Sequence, residues 1–402
     1  MNPIYKLYCR AFQALFHIAI PILPYRDPKV LRSVSELPEE LVLNKIDKVL
    51  IVTDKVIHEL GIIDKLKEAL SRRGIGYAVY DGTVPNPTVR NVEEARELYI
   101  SEGCSALVGF GGGSAIDCAK AVGARIARPK KPVKRMGGIL GVMKRIPHLT
   151  AIPTTAGTGT EVTLATVITD ADTGDKFPIN DFTLIPRVAV LDTENTRTIP
   201  LTMLATTGMD ALTHAVEAYI GRSTTKSTRR DALEAVRLIF GNLEQSYLDS
   251  KDEQARANMM RAAYLAGRAF SKSYVGYIHA VAHSLGGKYN IPHGRANATL
   301  MPIVLEDYGS IIHKKLHRLA VAAGIADVRD SHAEGARRFI EAIRGMNARM
   351  NIPPTLSDIV REDIPELARH AAREANPLYP VPRIMDAKGL EKFYYAVSDF
   401  ES

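Results

Sequence analysis

The sequence predicts an α/β N-terminal half followed by an all-α half, and three observations carry that prediction. Between residues 48 and 168, short apolar runs alternate with helical patterns, the signature of parallel strands joined by crossover helices. Beyond Pro200, long stretches rich in Ala, Leu and Arg keep helical periodicity, and convincing strands are absent. A glycine run, Gly111-Gly112-Gly113-Ser114, falls between a strand pattern and a helix pattern, where a βα turn belongs.

Taken in order, the first 45 residues form an amphipathic N-terminal extension. Its apolar stretch is broken by Gln13, His17 and two prolines. It falls short of the roughly 20 residues a spanning helix needs, and no small-residue cleavage site follows it. It therefore reads as a segment that packs on its own protein or on a second subunit, without stable membrane insertion. Residues 46–199 are the α/β domain. Lys48–Asp54 is an apolar run ending in a polar turn, 62–71 is a helix, and Gly76–Tyr80 is a second strand before Asp81-Gly82. A helix rich in Glu and Arg covers 91–101, Ala106–Phe110 is a further strand, and a helix opens at Ala115. Such alternation implies a parallel sheet covered on both faces. Residues 200–402 are the helical domain, with helices at 201–220, 228–248, 253–271, 278–287, 309–323 and 332–348.

With 402 residues, 46% of them hydrophobic and 24% charged, the chain has the composition of a soluble globular protein with room for two cores. Three irregularly spaced cysteines, Cys9, Cys104 and Cys118, do not make a disulfide framework, so a reducing cytoplasm is expected. The net charge of +7 is concentrated in a run from Arg128 to Arg145. Prolines and glycines interrupt that run and no aromatic residues interleave it, so it reads as a solvated loop and no nucleic-acid partner is expected.

Two loops carry the chemistry of phosphate binding. In Gly111–Ser114, glycines let backbone N–H groups approach a pyrophosphate, and the following helix adds partial positive charge. The run departs from G-x-G-x-x-G, so by itself it is equally a tight turn. The second loop, Pro153–Thr163, concentrates hydroxyls and flexible backbone between two strands. Asp54, closing the first strand of the domain, is placed to accept from ribose hydroxyls, and its structural alternative is a helix N-cap.

The helical half carries Asp210-Ala211-Leu212-Thr213-His214 and, some seventy residues on, His279, His283 and His293. Asp210 and His214 are spaced i, i+4 on one helix face, and His279 and His283 repeat the spacing on another helix. His293 follows a Gly-Gly pair and a proline, as if a turn returned it to the same place. Any one of these histidines read alone is an ordinary core or surface residue. Together, in windows of small apolar residues, they form a set in which four of the five side chains can close around a divalent ion, leaving the fifth as a proton carrier.

Several further motifs stand in the same order along the chain. They are Asp81-Gly82-Thr83-Val84-Pro85-Asn86, Gly111 to Asp117, Thr154 to Glu161, Ala189 to Asp192, Gly208 to Glu217, His279 to Gly294, and Asn376 to Pro382. With them the chain resembles the iron-containing (group III) alcohol dehydrogenases over residues 45–398. The resemblance implies an N-terminal Rossmann-like dinucleotide-binding domain followed by an all-α metal-binding domain, the dehydroquinate synthase-like fold. It places the metal ligands at Asp210, His214, His279 and His293, and a catalytic histidine near the nicotinamide at His283. The dinucleotide contacts it implies are Asp54, Asn86, Gly112, Gly113, Ser114, Thr154, Thr155, Thr158, Thr163, Val167 and Lys176. Phe270, nine residues before His279, takes a substrate-pocket position.

The activity so implied is interconversion of an alcohol, primary for preference, and its aldehyde by hydride transfer. NAD is the expected cofactor, since a carboxylate at Asp54 repels a 2′-phosphate, with NADP as the alternative. Fe(II) is the expected metal, with Zn(II) accepting the same ligands. A homodimer in the cytoplasm is the expected state. Two other readings are kept beside it: a lyase or synthase on the same scaffold that uses the nucleotide only transiently, and a non-catalytic scaffold that binds metal and nucleotide. Around the pocket, Ala165 and the segment Ser271–Tyr277 depart from relatives that act on particular diols, which leaves the alcohol open.

Overall fold

The computed structural model describes residues 2–171 and 176–400, and the chain divides into two compact units. One comprises Pro24–Ile199, and the other joins Met1–Leu23 to Pro200–Ser402. The stretch expected as a single extension to residue 45 is therefore shared. Helix α1 (Pro3–Ala19) belongs with the helical unit, whereas Pro24 onward belongs to the other and soon enters its sheet.

The α/β unit is built on strands β1 (Lys29–Leu31), β2 (Lys48–Val52), β3 (Gly76–Tyr80), β4 (Ala106–Gly111), β5 (Gly138–Ile139), β6 (His148–Pro153), β7 (Ala165–Thr169), β8 (Lys176–Asn180) and β9 (Val188–Val190). Six of them form a sheet in the order β1-β9-β6-β4-β2-β3, parallel throughout. Helices α2 (Leu37–Leu43), α3 (Lys55–Glu59), α4 (Asp64–Arg72), α5 (Val89–Ser101) and α6 (Gly113–Ala127) belong to the same unit. Alternate residues of β2 enter two separate cores: Leu50 and Val52 pack with Leu107, Val122 and Leu149, whereas Val49 and Ile51 pack with Val108, Ile63 and Leu66. A central strand buried on both faces is why these runs read as continuously apolar. A smaller sheet, β5-β8-β7, pairs β7 and β8 antiparallel, with Val167 opposite Pro178 and Thr169 opposite Lys176.

After β2 the chain moves out to β3, and after β4 it moves the other way to β6. The carboxyl ends of β2 and β4 thus flank a topological switch point, where open α/β sheets take their ligands.

The helical unit contains α7 (Leu201–Ile220), α8 (Lys226–Leu248), α9 (Glu253–Ser273), α10 (Tyr277–Tyr289), α11 (His293–Tyr308), α12 (His313–Ala322), α13 (His332–Arg349), α14 (Ile364–Ala375) and α15 (Ala387–Val397). Helix α7 is buried almost all round, which its run of Ala, Leu, Met and Val between Leu201 and Ile220 allows. Three differences from expectation matter to the site. Gly286 and Gly287 lie inside α10 and form no turn, and the reversal comes at Asn290, in the left-handed region, followed by Pro292. His293 then opens a helix, α11, that the sequence patterns did not show. Helices α14 and α15 were likewise unforeseen.

Candidate active site

In the α/β unit, most of the expected dinucleotide contacts gather at the carboxyl ends of β2, β4 and β6. Asp54 caps α3, accepting from the Ile57 N–H at 2.9 Å, so its structural alternative holds. A Cβ on Gly111 would nevertheless stand 3.6 Å from its carboxylate, so Asp54 also lines the glycine turn. The two loops found separately in sequence meet here, because β4 and β6 are neighbours: Thr154 N–H donates to the Gly111 carbonyl at 3.0 Å. Gly111 has φ +151° and would press a Cβ to 2.8 Å from that of Ala115. A Cβ on Gly113 would come within 3.0 Å of Thr158, and one on Gly112 within 3.7 Å of Thr155. Glycine at these places leaves open backbone where α6 begins, with Gly112 as N-cap and Ser114 in the first turn. The Thr155 hydroxyl is buried without a hydrogen-bond partner, an acceptor and donor left for a ligand to satisfy. A cradle of this kind fits a pyrophosphate.

Asn86 stands exposed in the left-handed region at φ 59°. Its loop is tied to β7, the Thr169 N–H donating to the Pro87 carbonyl at 2.8 Å. Val167 and Lys176 fall on the half-buried face of the β7–β8 pair, while Thr166, Ile168 and Ile179 occupy its buried face. Burial holds the Lys176 amine below its ordinary range. Thr163 differs from the others. Its hydroxyl and carbonyl accept from buried Lys120, at 3.0 and 2.8 Å, and Lys120 also donates to the Ala165 carbonyl at 2.8 Å. Burial lowers Lys120 to about 8. Sequence reasoning passed over this lysine, which moors the hydroxyl-rich loop to α6.

In the helical unit, Asp210, His279 and His293 bring ligand atoms within 4.8 Å of one another. From Asp210 Oδ1, His293 Nε2 is 3.4 Å away and His279 Nε2 3.7 Å. His214 comes from the same helix as Asp210, one turn on, its Nδ1 3.9 Å from Asp210 Oδ2. Its ring is stacked between Phe270, 4.0 Å centroid to centroid, and His279, at 4.5 Å. His283 lies one turn beyond His279, and its ring stacks on His293 at 5.0 Å. Asn297, one turn into α11, donates to Asp210 Oδ1 at 2.7 Å and reaches His293 Nε2 at 3.0 Å.

What prepares His279 is Glu217. This buried carboxylate accepts from the Gly276 and Ile278 N–H groups, both at 2.8 Å, and from His279 Nδ1 at 2.6 Å. It therefore caps α10 and fixes the tautomer of the ring that α10 delivers. Gly276 is required by this contact, since a Cβ there would lie 2.6 Å from Glu217 Oε1. Burial raises Glu217 to about 7, against the pull of the N–H donors. Burial, followed by the neighbouring imidazoles, pushes His279 well below its ordinary range and leaves the ring neutral. With Nδ1 occupied, the buried Nε2 makes no hydrogen bond and faces the space shared with Asp210. A neutral imidazole with a carboxylate behind it, beside a second imidazole and a buried carboxylate, suits a divalent ion with N and O ligands. Residue spacing could have found Glu217, because Asp210, His214 and Glu217 stand at i, i+4 and i+7 on α7. His283 has an analogous support: its Nδ1 is 2.6 Å from Glu374 Oε1, which also accepts from the Tyr379 hydroxyl at 2.7 Å.

An open parallel sheet with a glycine and threonine cradle at its switch point, in one chain with a helical carboxylate and imidazole centre, defines a metal- and dinucleotide-dependent oxidoreductase. Comparison with known proteins narrows the class. Residues 31–193 match the family model described as iron-containing alcohol dehydrogenase, and residues 204–397 match that of the Fe-containing alcohol dehydrogenase family, C-terminal. The chain is 37% identical over 342 residues to the lactaldehyde reductase of Escherichia coli (strain K12), covering 84% of this chain and 89% of that one. The crystal structure of a 1,3-propanediol oxidoreductase superposes with a TM-score of 0.88 at 34% identity, covering 92% of this chain and 98% of the other. That of the sulfoacetaldehyde reductase from Bifidobacterium kashiwanohense, in complex with NAD+, superposes with a TM-score of 0.82 at 26% identity over 94% and 99% of the two chains. The chain belongs to the iron-containing alcohol dehydrogenase family. It is an alcohol–aldehyde oxidoreductase of the kind that works with NAD(H) and iron, and neither the lyase nor the non-catalytic reading is favoured.

Proposed function

We propose that the protein oxidises a small primary alcohol, and reduces the corresponding aldehyde, with Fe(II) held by Asp210, His214, His279 and His293. When bound, the divalent ion supplies Lewis acidity toward the substrate oxygen, and the nicotinamide accepts or returns the hydride. Asp210 contributes the negative charge that holds a cation, and Glu217 keeps the His279 lone pair directed toward Asp210. Asn297 steadies Asp210 and His293 together. The hydroxyl proton of the alcohol leaves by way of His283, whose Nδ1 is held by Glu374 so that Nε2 takes the proton. Phe270, stacked on His214, supplies an apolar wall to the pocket.

NAD is bound through Asp54, Asn86, Gly112, Gly113, Ser114, Thr154, Thr155, Thr158, Val167 and Lys176, with Thr163 acting through its bonds to Lys120. The carboxylate of Asp54 favours NAD over NADP. The protein works as a homodimer in the cytoplasm, a setting consistent with three free, buried cysteines. The observation that carries the reading is the Glu217-supported grouping of His279, Asp210 and His293. It is tested by an anaerobic panel of primary alcohols, diols and aldehydes, with NAD and NADP, on protein reconstituted separately with iron and zinc. The expected outcome is turnover of primary alcohols with NAD on the iron form. No turnover with any member of the panel on either form would overturn it.

A further inference from the structure

Prolines leave the segment Asn376–Pro382 unable to satisfy its own backbone. Pro377, Pro380 and Pro382 have no N–H to donate, and the segment joins neither helix nor sheet, so its carbonyls need partners from elsewhere. Helix α1 supplies most of them. Gln13 Nε2 donates to the Tyr379 carbonyl at 2.8 Å and to that of Pro377 at 3.2 Å, while Arg10 donates to the Val381 and Pro382 carbonyls, both at 2.8 Å. Gln13 Oε1 accepts from Arg10 in turn, at 2.8 Å, so this buried amide is used at both ends. The Pro380 carbonyl takes the Arg222 N–H at 2.7 Å.

The segment held in this way sends one side chain toward His283. Tyr379 is buried, and its hydroxyl donates to Glu374 Oε1 at 2.7 Å, the same oxygen that faces His283 Nδ1 at 2.6 Å. Glu374 stands in the last turn of α14, where the partial negative charge of a helix end disfavours a carboxylate, so its place depends on the donors that meet it. His283 is one of them and Tyr379 is the other. Tyr274 stands beside both Tyr379 and α1, its ring centroid 6.2 Å from that of Tyr379 and 5.1 Å from that of Phe16. A chain of contacts therefore runs from α1 to His283, all within the helical unit. It begins outside the residues matched by the family models, the first of which starts at residue 31.

We propose that Tyr379 is a positioning residue for proton transfer, orienting Glu374 and through it His283, and that Gln13 and Arg10 of α1 hold Tyr379 in place. The proposal rests on His283 as the proton carrier and extends that reading to the N-terminal helix. The test measures kcat, the KM for alcohol and for NAD, and bound iron. It compares iron-reconstituted wild type with Tyr379→Phe, Gln13→Leu, the two combined, His283→Ala, and His283→Ala combined with Tyr379→Phe. Tyr379→Phe keeps the ring and removes only the bond to Glu374, so kcat per bound iron should fall about tenfold while both KM values and the iron content stay at wild type. Gln13→Leu should lower kcat in the same way, and the double variant should fall no further than Tyr379→Phe alone, because both changes act through one hydrogen bond. In metal-free Gln13→Leu, hydrogen exchange at the Leu378, Tyr379 and Val381 amides should be faster than in metal-free wild type. Should Gln13→Leu fail to fold, Arg10→Met, which removes the bonds to Val381 and Pro382, serves in its place. Wild-type kcat in Tyr379→Phe beside a slow His283→Ala would overturn the positioning role and leave the relay standing, whereas wild-type kcat in His283→Ala would remove the relay itself. A further fall when Tyr379→Phe is added to His283→Ala, or unchanged exchange in Gln13→Leu, would also overturn the proposal.

Discussion

Glu217 is the residue on which the centre turns, because one buried carboxylate both closes the N-terminus of α10 and sets the tautomer of His279. Glu217→Gln keeps the volume but puts an NH₂ against N–H donors, so one bond is lost and the His279 ring is no longer held. Loss of such a supporting carboxylate lowers metal affinity roughly 10- to 100-fold. A competition titration against a chelator should show that drop in the variant, and unchanged affinity would mean that Glu217 acts only as a helix cap. At this scale the sequence was informative about ligand types and poor about their supports. Asp210, His214, His279 and His293 could be nominated from the sequence because metal chemistry restricts which side chains serve, and the structure brings ligand atoms of Asp210, His279 and His293 within 4.8 Å of one another. Glu217 carried one signal, its i+7 spacing from Asp210, whereas Glu374 and Asn297 carried none, since a carboxylate or amide on a helix is ordinary until its partner, up to 91 residues away, is known.

Elements reveal themselves in proportion to how far their pattern outlasts local noise. The long strands β2, β3 and β4 and most helices of the second unit were readable, whereas β1 and β9 have three residues each, too few to show a period. Helix α11 was hidden by Pro302 within it and by polar residues that are buried, such as Asn297 and Thr299. Gly286 and Gly287 looked like a turn, yet tertiary packing overrides their low helix propensity. Two predictions belong here. Lys120→Met removes the donor shared by Thr163 and Ala165, leaving buried acceptors unpaired, and should cost about 2–3 kcal/mol in urea unfolding while raising the KM for NAD. A variant with wild-type stability and KM would contradict the mooring role. At the start of β6, burial lowers His148 to about 4. Its folded pKa lies below the unfolded value of about 6.5, so the unfolded chain binds the proton more readily. The contribution of a neutral His148 is therefore complete above about pH 6.5 and is lost as pH falls toward about 4. Urea midpoints of wild type should drop over that window more steeply than those of His148→Gln, and parallel curves would remove His148 as the cause.

For the whole molecule, the two units divide the labour the family requires. The α/β unit gathers Asp54, Gly112, Gly113, Ser114, Thr154 and Thr155 at the carboxyl edge of one sheet, and the helical unit brings together Asp210, His279 and His293, the core of the proposed metal site, from α7, α10 and α11. That division was visible in the change of texture at Pro200. The place of the first 45 residues was not, because amphipathicity specifies a face to be covered and says nothing of which unit covers it. Within the helical unit we assign metal retention to His279 and His293 and proton transfer to His283, one helical turn from a ligand. These roles are tested most directly by measuring bound iron and the pH dependence of kcat in parallel for wild type, His279→Ala, His293→Ala and His283→Ala. The first two variants should lose both iron and turnover. His283→Ala should keep near-normal iron while kcat falls about 10²-fold, within the range for loss of a general acid–base group, and loses its wild-type pH dependence. Loss of the iron from His283→Ala, or retention of it by His279→Ala, would contradict the assignment.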